Sequence, residues 1–269
     1  MSIKSLDDLA EDYLDPKRGI NMDESYMFAV KNVLEKNSPK QAMKILGADA
    51  YLDFKNYEKR FDEEIERYEK YYFLANFEDL DSIDVKGYIS TLKPKSRIRK
   101  RFIASRVYHE HFMEDPDALF SEFDEDDSVY DLAADLAEDE GSVKSNKFYL
   151  QRALCDVLYF CSHNEAYSYV GPDALLEAWE LNNKIKKLDL DEFYDVAIGY
   201  VDFKGVSTEN ERESRLVKAI KNQEIDDLKE MLVASKIQEK YFSLSEFENV
   251  LKNRNPEYAD SEDETGEED

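Results

Sequence analysis

The chain's punctuation constrains its fold more than any other feature. Only eight glycines and six prolines interrupt 269 residues, and most of them stand where a helix would begin or end. Ser38 followed by Pro39 reads as an N-cap with proline at the first helical position, and Gly47 closes that short segment. Asp115 with Pro116, and Gly171 with Pro172, repeat the pattern of a helix opening. Between these marks the apolar residues recur at helical spacing. Met27, Val30 and Leu34 follow Asp23 in a helix that stops near Asn37. Tyr51, Phe54, Phe61, Ile65, Tyr68 and Tyr72 form one stripe, which predicts a single amphipathic helix of about twenty-five residues.

The remainder reads the same way. Ile98, Phe102, Ile103 and Val107 point inward from a basic helix that Ser96 can cap and that ends around Met113. Ser128 and Asp131 form a capping pair, with Val129, Leu132 and Leu136 as the buried edge of the helix that follows. From Phe148 to Cys161 most faces are apolar, which predicts the central helix. His163 with Glu165 is placed to cap its end. Leu175, Trp179 and Ile185 lie on the helix opened by Pro172, and a helical pair over Leu216–Lys221 and Ile225–Ser235 precedes a last helix with Leu244, Phe247, Val250 and Leu251. Ile198 to Phe203 is the one β-like stretch, too little for a sheet.

The expected fold is therefore all-α: an irregular multi-helix globular bundle with at most one short β-hairpin. One unit spans residues 1–255, with Gly141 marking where two lobes would meet. Residues 256–269 hold eight acids and no base, and are expected to be a disordered acidic tail. The aromatic content, 18 Tyr and 15 Phe, is ample for a core. Cys155 and Cys161, six apart on one helix, would have Cα atoms about 9 Å apart, too far for a disulfide. With no apolar leader and no membrane-length apolar run, a reducing cytoplasmic setting is expected.

Charge is the second constraint. Lys93, Lys95, Arg97, Arg99, Lys100, Arg101 and Arg106 fall within fourteen residues that contain no acid. From Glu114 to Glu140 there are then thirteen carboxylates and no Lys or Arg, in a chain of net charge −26. At about 100° per residue, Arg97, Lys100 and Arg101 share one arc and could contact an anion, whereas Arg99 and Arg106 flank the apolar face and should pair with carboxylates of the protein. The overall negative field opposes direct nucleic-acid or anionic-membrane binding and favours a basic partner.

The acidic candidates for that partner's surface are Asp117, Glu122, Asp124, Glu125, Asp126 and Asp127, continued on the next helix by Asp131, Asp135, Glu138 and Asp139. EF-hand spacing is absent from them, and two histidines at 109 and 111 diverge on a helix, so neither calcium nor zinc is expected. No phosphate-binding glycine loop, nucleophile elbow or paired-cysteine motif occurs, and no cofactor is expected. Carboxylates on rigid helices, with aromatics for grip, suit a non-enzymatic interaction module. Such a module could inhibit or chaperone a nucleic-acid-binding protein by mimicking DNA, as antagonists from phages and mobile elements do. A helical subunit of a larger assembly is the second reading.

Two segments resemble known families. LVKAIKNQEIDDLKEMLVAS resembles the paired helices of an ankyrin repeat, which implies a helix hairpin and no function. DLAEDE followed by RALCDVLYF resembles the all-α nucleotide pyrophosphohydrolases of the MazG kind, whose Glu-x-x-Glu and Glu-x-x-Asp pairs hold magnesium. That resemblance implies metal-ligand roles for Asp135, Glu138 and Asp156. Ala153 stands at the fourth position, so the implied enzyme is a degenerate one.

Overall fold

The computed structural model describes residues 4–14, 20, 22–65, 87, 90–92, 97–113, 128–139, 144–197 and 225–254. Among them the elements are helices, with no strand, as the periodicity predicted. The chain divides into two units, Met1–Phe123 and Asp124–Asp269. Lys93, Lys95 and Ser96, the segments Ile198–Phe203 and Leu216–Lys221, and the acidic tail lie outside the described residues.

In the first unit, α1 (Leu6–Glu11) starts in a capping box in which the Ser5 hydroxyl accepts from the Asp8 N–H and the Asp8 carboxylate from the Ser5 N–H. α2 (Met22–Lys36) packs against α1 and carries the buried residues Met27, Ala29, Val30 and Val33. α3 (Pro39–Leu46) begins as its punctuation predicted, in a second capping box between Ser38 and Gln41 with proline in the first turn. Gly47, at φ 81°, then lets the chain turn directly into α4 (Ala48–Arg60). α5 (Arg97–His111) lies against both α2 and α4, and its Phe102, Ile103, Ala104 and Val107 are buried. Phe102, Ile103 and Val107 each contribute about 1.5–3 kcal/mol when fully removed from water.

α4 corrects one expectation. The apolar stripe predicted a helix continuing past Ile65, but α4 ends at Arg60 and residues 61–63 form a turn. The N–H groups of Glu63 and Glu64 both reach back to the Arg60 carbonyl. Phe61 is fully buried at this point, so the chain keeps its apolar anchor while Asp62 and Glu64 are redirected toward α5.

In the second unit, α7 (Asn146–Phe160) is the hub. It packs against α6 (Val129–Asp139), α8 (His163–Ile185), α10 (Ile225–Tyr241) and α11 (Leu244–Arg254), and it buries Tyr149, Leu150, Ala153, Leu154, Cys155 and Val157. α9 (Leu190–Ala197) contributes the fully buried Phe193. Where α7 meets α10, Gln151 is completely buried and its amide nitrogen donates to Ser235 Oγ at 3.0 Å. On α6 the fully buried residues are Val129, Ala133, Ala134 and Ala137, while Leu132 and Leu136 are half-buried.

Serine punctuates this unit too. Ser128 and Asp131 bond reciprocally at the start of α6, and Ser145 caps α7. Ser162 caps α8 by accepting from the Glu165 N–H, so His163 and Glu165 open the next helix where they were expected to close the previous one. α8 is broken at Gly171, whose φ of 74° and ψ of 169° are non-helical, and Pro172 restarts it. Cys155 and Cys161 are both free thiols. Among the described residues no helix is long and apolar enough to cross a membrane.

Candidate interaction site

The basic residues of α5 separate into a buried and an exposed set. Arg99 is 6% exposed and grips Asp62 with both terminal nitrogens, at 3.0 and 3.1 Å, while its guanidinium lies 4.2 Å from the centroid of the Phe61 ring. Arg106 is held more fully. Its Nη1 donates to Glu64 Oε2 at 2.6 Å, its Nε donates to Glu110 Oε1 at 3.1 Å, and its guanidinium stacks 3.6 Å from the Tyr57 centroid. The Tyr57 hydroxyl donates to Glu110, closing the cluster, and burial followed by that hydrogen bond pushes the Tyr57 hydroxyl far above its ordinary range. Arg60 adds a second cation to Glu64 at 3.1 Å. Both arginines expected to face inward therefore do so, and both are neutralised by carboxylates of the α4 end and of α5 itself.

Of the trio expected to face outward, Arg97 is exposed and has no carboxylate partner among the described residues. Lys100 and Arg101 are half-buried, and Lys100 stands 3.9 Å from Glu35. The Nε of Arg101 is buried without a hydrogen-bond partner.

The acidic candidates fall into three groups. Asp117, Glu122, Asp124, Glu125, Asp126 and Asp127 lie outside the described residues. Asp131 and Asp135, one turn apart on α6, are both taken by Arg254 at the end of α11: Nη2 donates to Asp131 at 2.9 Å and Nη1 to Asp135 at 2.5 Å. Burial alone would raise the Asp131 carboxyl, but hydrogen bonds from Ser128 and the Arg254 guanidinium hold it below the usual range. Glu138 and Asp139 are exposed at the C-terminal end of α6 and have no cationic partner among the described residues.

Arg254 is the residue that sequence reasoning missed. It stands 119 residues from Asp135, and no local pattern links the two. A second contact ties the same helices together: Tyr130 donates to Glu246 at 2.6 Å and accepts from the Ser243 N–H at 3.0 Å.

Charge is also distributed unequally between the units. The second holds 37 of the 62 acids but only 16 of the 36 bases, which leaves the first close to balance.

Among the described residues no three His, Cys, Asp or Glu side chains gather as a metal site. Asp156 pairs with Arg152 at 3.3 Å, and His111 lies 3.0 Å from Asp53. No protein-family model, curated protein or solved structure matches this chain.

Proposed function

We propose that this chain is a non-enzymatic interaction module whose acidic second unit engages the basic face of a partner protein, of the kind that otherwise holds a nucleic-acid backbone. The observation that carries this reading is the concentration of uncompensated carboxylate in one unit. The cations with the best geometry in the described structure, Arg99, Arg106 and Arg254, are occupied by the protein's own acids. What remains for a partner is predominantly negative, with Glu138 and Asp139 as the exposed described members.

Carboxylates held on packed helices lose little freedom on binding, and opposite charge speeds encounter more than it deepens affinity. The partner's role follows from its chemistry: a groove that accepts a row of carboxylates is one that accepts phosphates, so binding would exclude DNA or RNA from it. The alternative of a magnesium pyrophosphohydrolase draws no support from the geometry, because Asp135 and Asp156 are both turned to arginines.

The test is capture of partners from the native cell on the immobilised full chain, at low and at high salt, with duplex DNA as competitor. Basic proteins released by about 0.5 M salt, where screening shortens electrostatic reach to a few ångströms, and displaced by DNA support the reading. Partners that survive high salt, or that still bind DNA while captured, overturn it. Magnesium-dependent release of pyrophosphate from a nucleoside triphosphate, lost in Asp156→Asn, would overturn it in favour of the enzyme.

A further inference from the structure

The first unit contains a surface cleft of about 160 Å³ between α2, α4 and α5. Its floor is apolar: Tyr51, Phe54 and Ala104 are all buried, and Leu34 closes one side. Its rim has the opposite sign from the chain. Lys31, Lys55 and Lys100 face Glu35 and Glu58, so the rim carries one positive charge more than negative in a protein of net charge −26.

The pairing at that rim is incomplete. Lys31 lies 3.7 Å from one oxygen of Glu35 and Lys100 lies 3.9 Å from the other. Two ammonium groups thus share a single carboxylate, and neither is close enough to donate a hydrogen bond to it. Lys55 differs: it donates to Glu58 at 3.2 Å and sits 5.9 Å from the centre of the Phe54 ring. An ammonium has three donors, and those of Lys31 and Lys100 remain available at the mouth of an aromatic-floored slot.

Ala104 is the mid-point of the arc of α5 that also holds Arg97, Lys100 and Arg101. Of that trio only Lys100 lines the cleft, and Arg97 and Arg101 stand outside it.

We infer that this cleft binds a small aromatic monocarboxylate, with its ring against Tyr51, Phe54 and Ala104 and its carboxylate between Lys31 and Lys100. Size agrees with chemistry, since a cavity of about 150 Å³ is enough to hold benzene. A dication or a neutral polar solute gains nothing from this rim. A polyphosphate would need more cations than three lysines partly offset by two glutamates. The inference concerns the first unit and stands or falls independently of the partner proposed for the second.

The probe is benzoate, titrated into the full isotope-labelled chain and followed by amide and methyl shifts. N-acetylphenylalanine represents the same chemistry at the end of a polypeptide, and benzyl alcohol and acetate represent the ring and the charge alone. Saturable shifts centred on residues 31, 51, 54, 100 and 104, with a dissociation constant on the order of 1 mM as a ligand of this size allows, support the inference. Tighter binding of benzoate identifies a free acid as the natural ligand, and tighter binding of N-acetylphenylalanine identifies a chain terminus. Lys100→Gln and Lys31→Gln should each weaken benzoate at least fivefold, while Arg97→Gln, outside the lining, leaves it within twofold. Absence of saturation, equal binding of benzyl alcohol, or indifference to both lysine changes in variants with unaltered melting overturns it.

Discussion

Arg106 donates from Nη1 to Glu64 Oε2 across 2.6 Å, and both side chains are more than nine-tenths buried. An ion pair in this position contributes little relative to a well-packed apolar pair, yet it is costly to break from one side. Arg106→Met leaves Glu64 buried with one fewer cation and should lower stability by about 3 kcal/mol. Combining it with Glu64→Met should recover at least half of that loss. Urea unfolding followed by circular dichroism measures both. A single-variant loss below about 1 kcal/mol would show that the pair is solvated in solution.

The Asp131–Arg254 contact sets an acid limit on the second unit. A carboxyl held below its ordinary value in the fold stabilises at pH above the unfolded value near 4. That contribution disappears as pH falls through the folded value. Arg254→Gln should therefore lower the urea midpoint at pH 7, and its deficit relative to the parent should shrink as pH is taken from about 5 to about 3. A deficit that is constant with pH would assign the role of Arg254 to packing.

The two thiols should react very differently. Burial, the largest influence, pushes Cys155 up to about 12, whereas half-exposed Cys161 is raised as well but remains accessible at the end of α7. At pH 8 only about one in ten thousand Cys155 side chains would be thiolate. With a disulfide reagent the folded chain should label first at Cys161, and labelling of Cys155 should follow the rate of opening. Two thiols should react at once in urea. Equal rates in the folded chain would contradict this placement.

Gly171 separates space from strain. No atom lies within 4 Å of where a Cβ would stand, so Gly171→Ala meets no clash. Its φ of 74° with ψ of 169° is nonetheless a backbone state that is essentially glycine's alone, and the substitution should cost about 1–3 kcal/mol. Pro172→Ala, one residue later, should cost less than about 1 kcal/mol, because alanine is also accepted in a first helical turn. Thermal unfolding of the two variants tests the order.

What the sequence disclosed was local. Ser38 with Pro39 marks a helix start, Ser128 with Asp131 names its own partner three residues away, and α7 reveals itself as the hub because so much of its surface is apolar. Phase alone also set Arg99 and Arg106 inward, where they are buried, whereas of the trio set outward only Arg97 is exposed and Lys100 and Arg101 are half-buried. Endings were harder. Ile65 continues the stripe of α4, so periodicity does not register the turn at Phe61, which is fixed by the tertiary contacts of Asp62 and Glu64 with α5. Leu132 and Leu136 outrank alanine in hydrophobicity, yet Ala133, Ala134 and Ala137 are the buried residues and both leucines are half-buried. Of the acidic surface, the engagement of Asp131 and Asp135 by Arg254 is a meeting of distant segments that no spacing rule encodes.

The position of α7 has a consequence for how the second unit comes apart. Four helices lean on it, and α10 and α11 reach it from more than sixty residues away along the chain. Release of any one of them uncovers part of a helix whose charged, solvent-facing side is narrow, with Arg152 and Asp156 on it. Partial opening is therefore penalised from every side, and the unit should melt in a single cooperative step, with the amides of α7 the last to exchange with solvent.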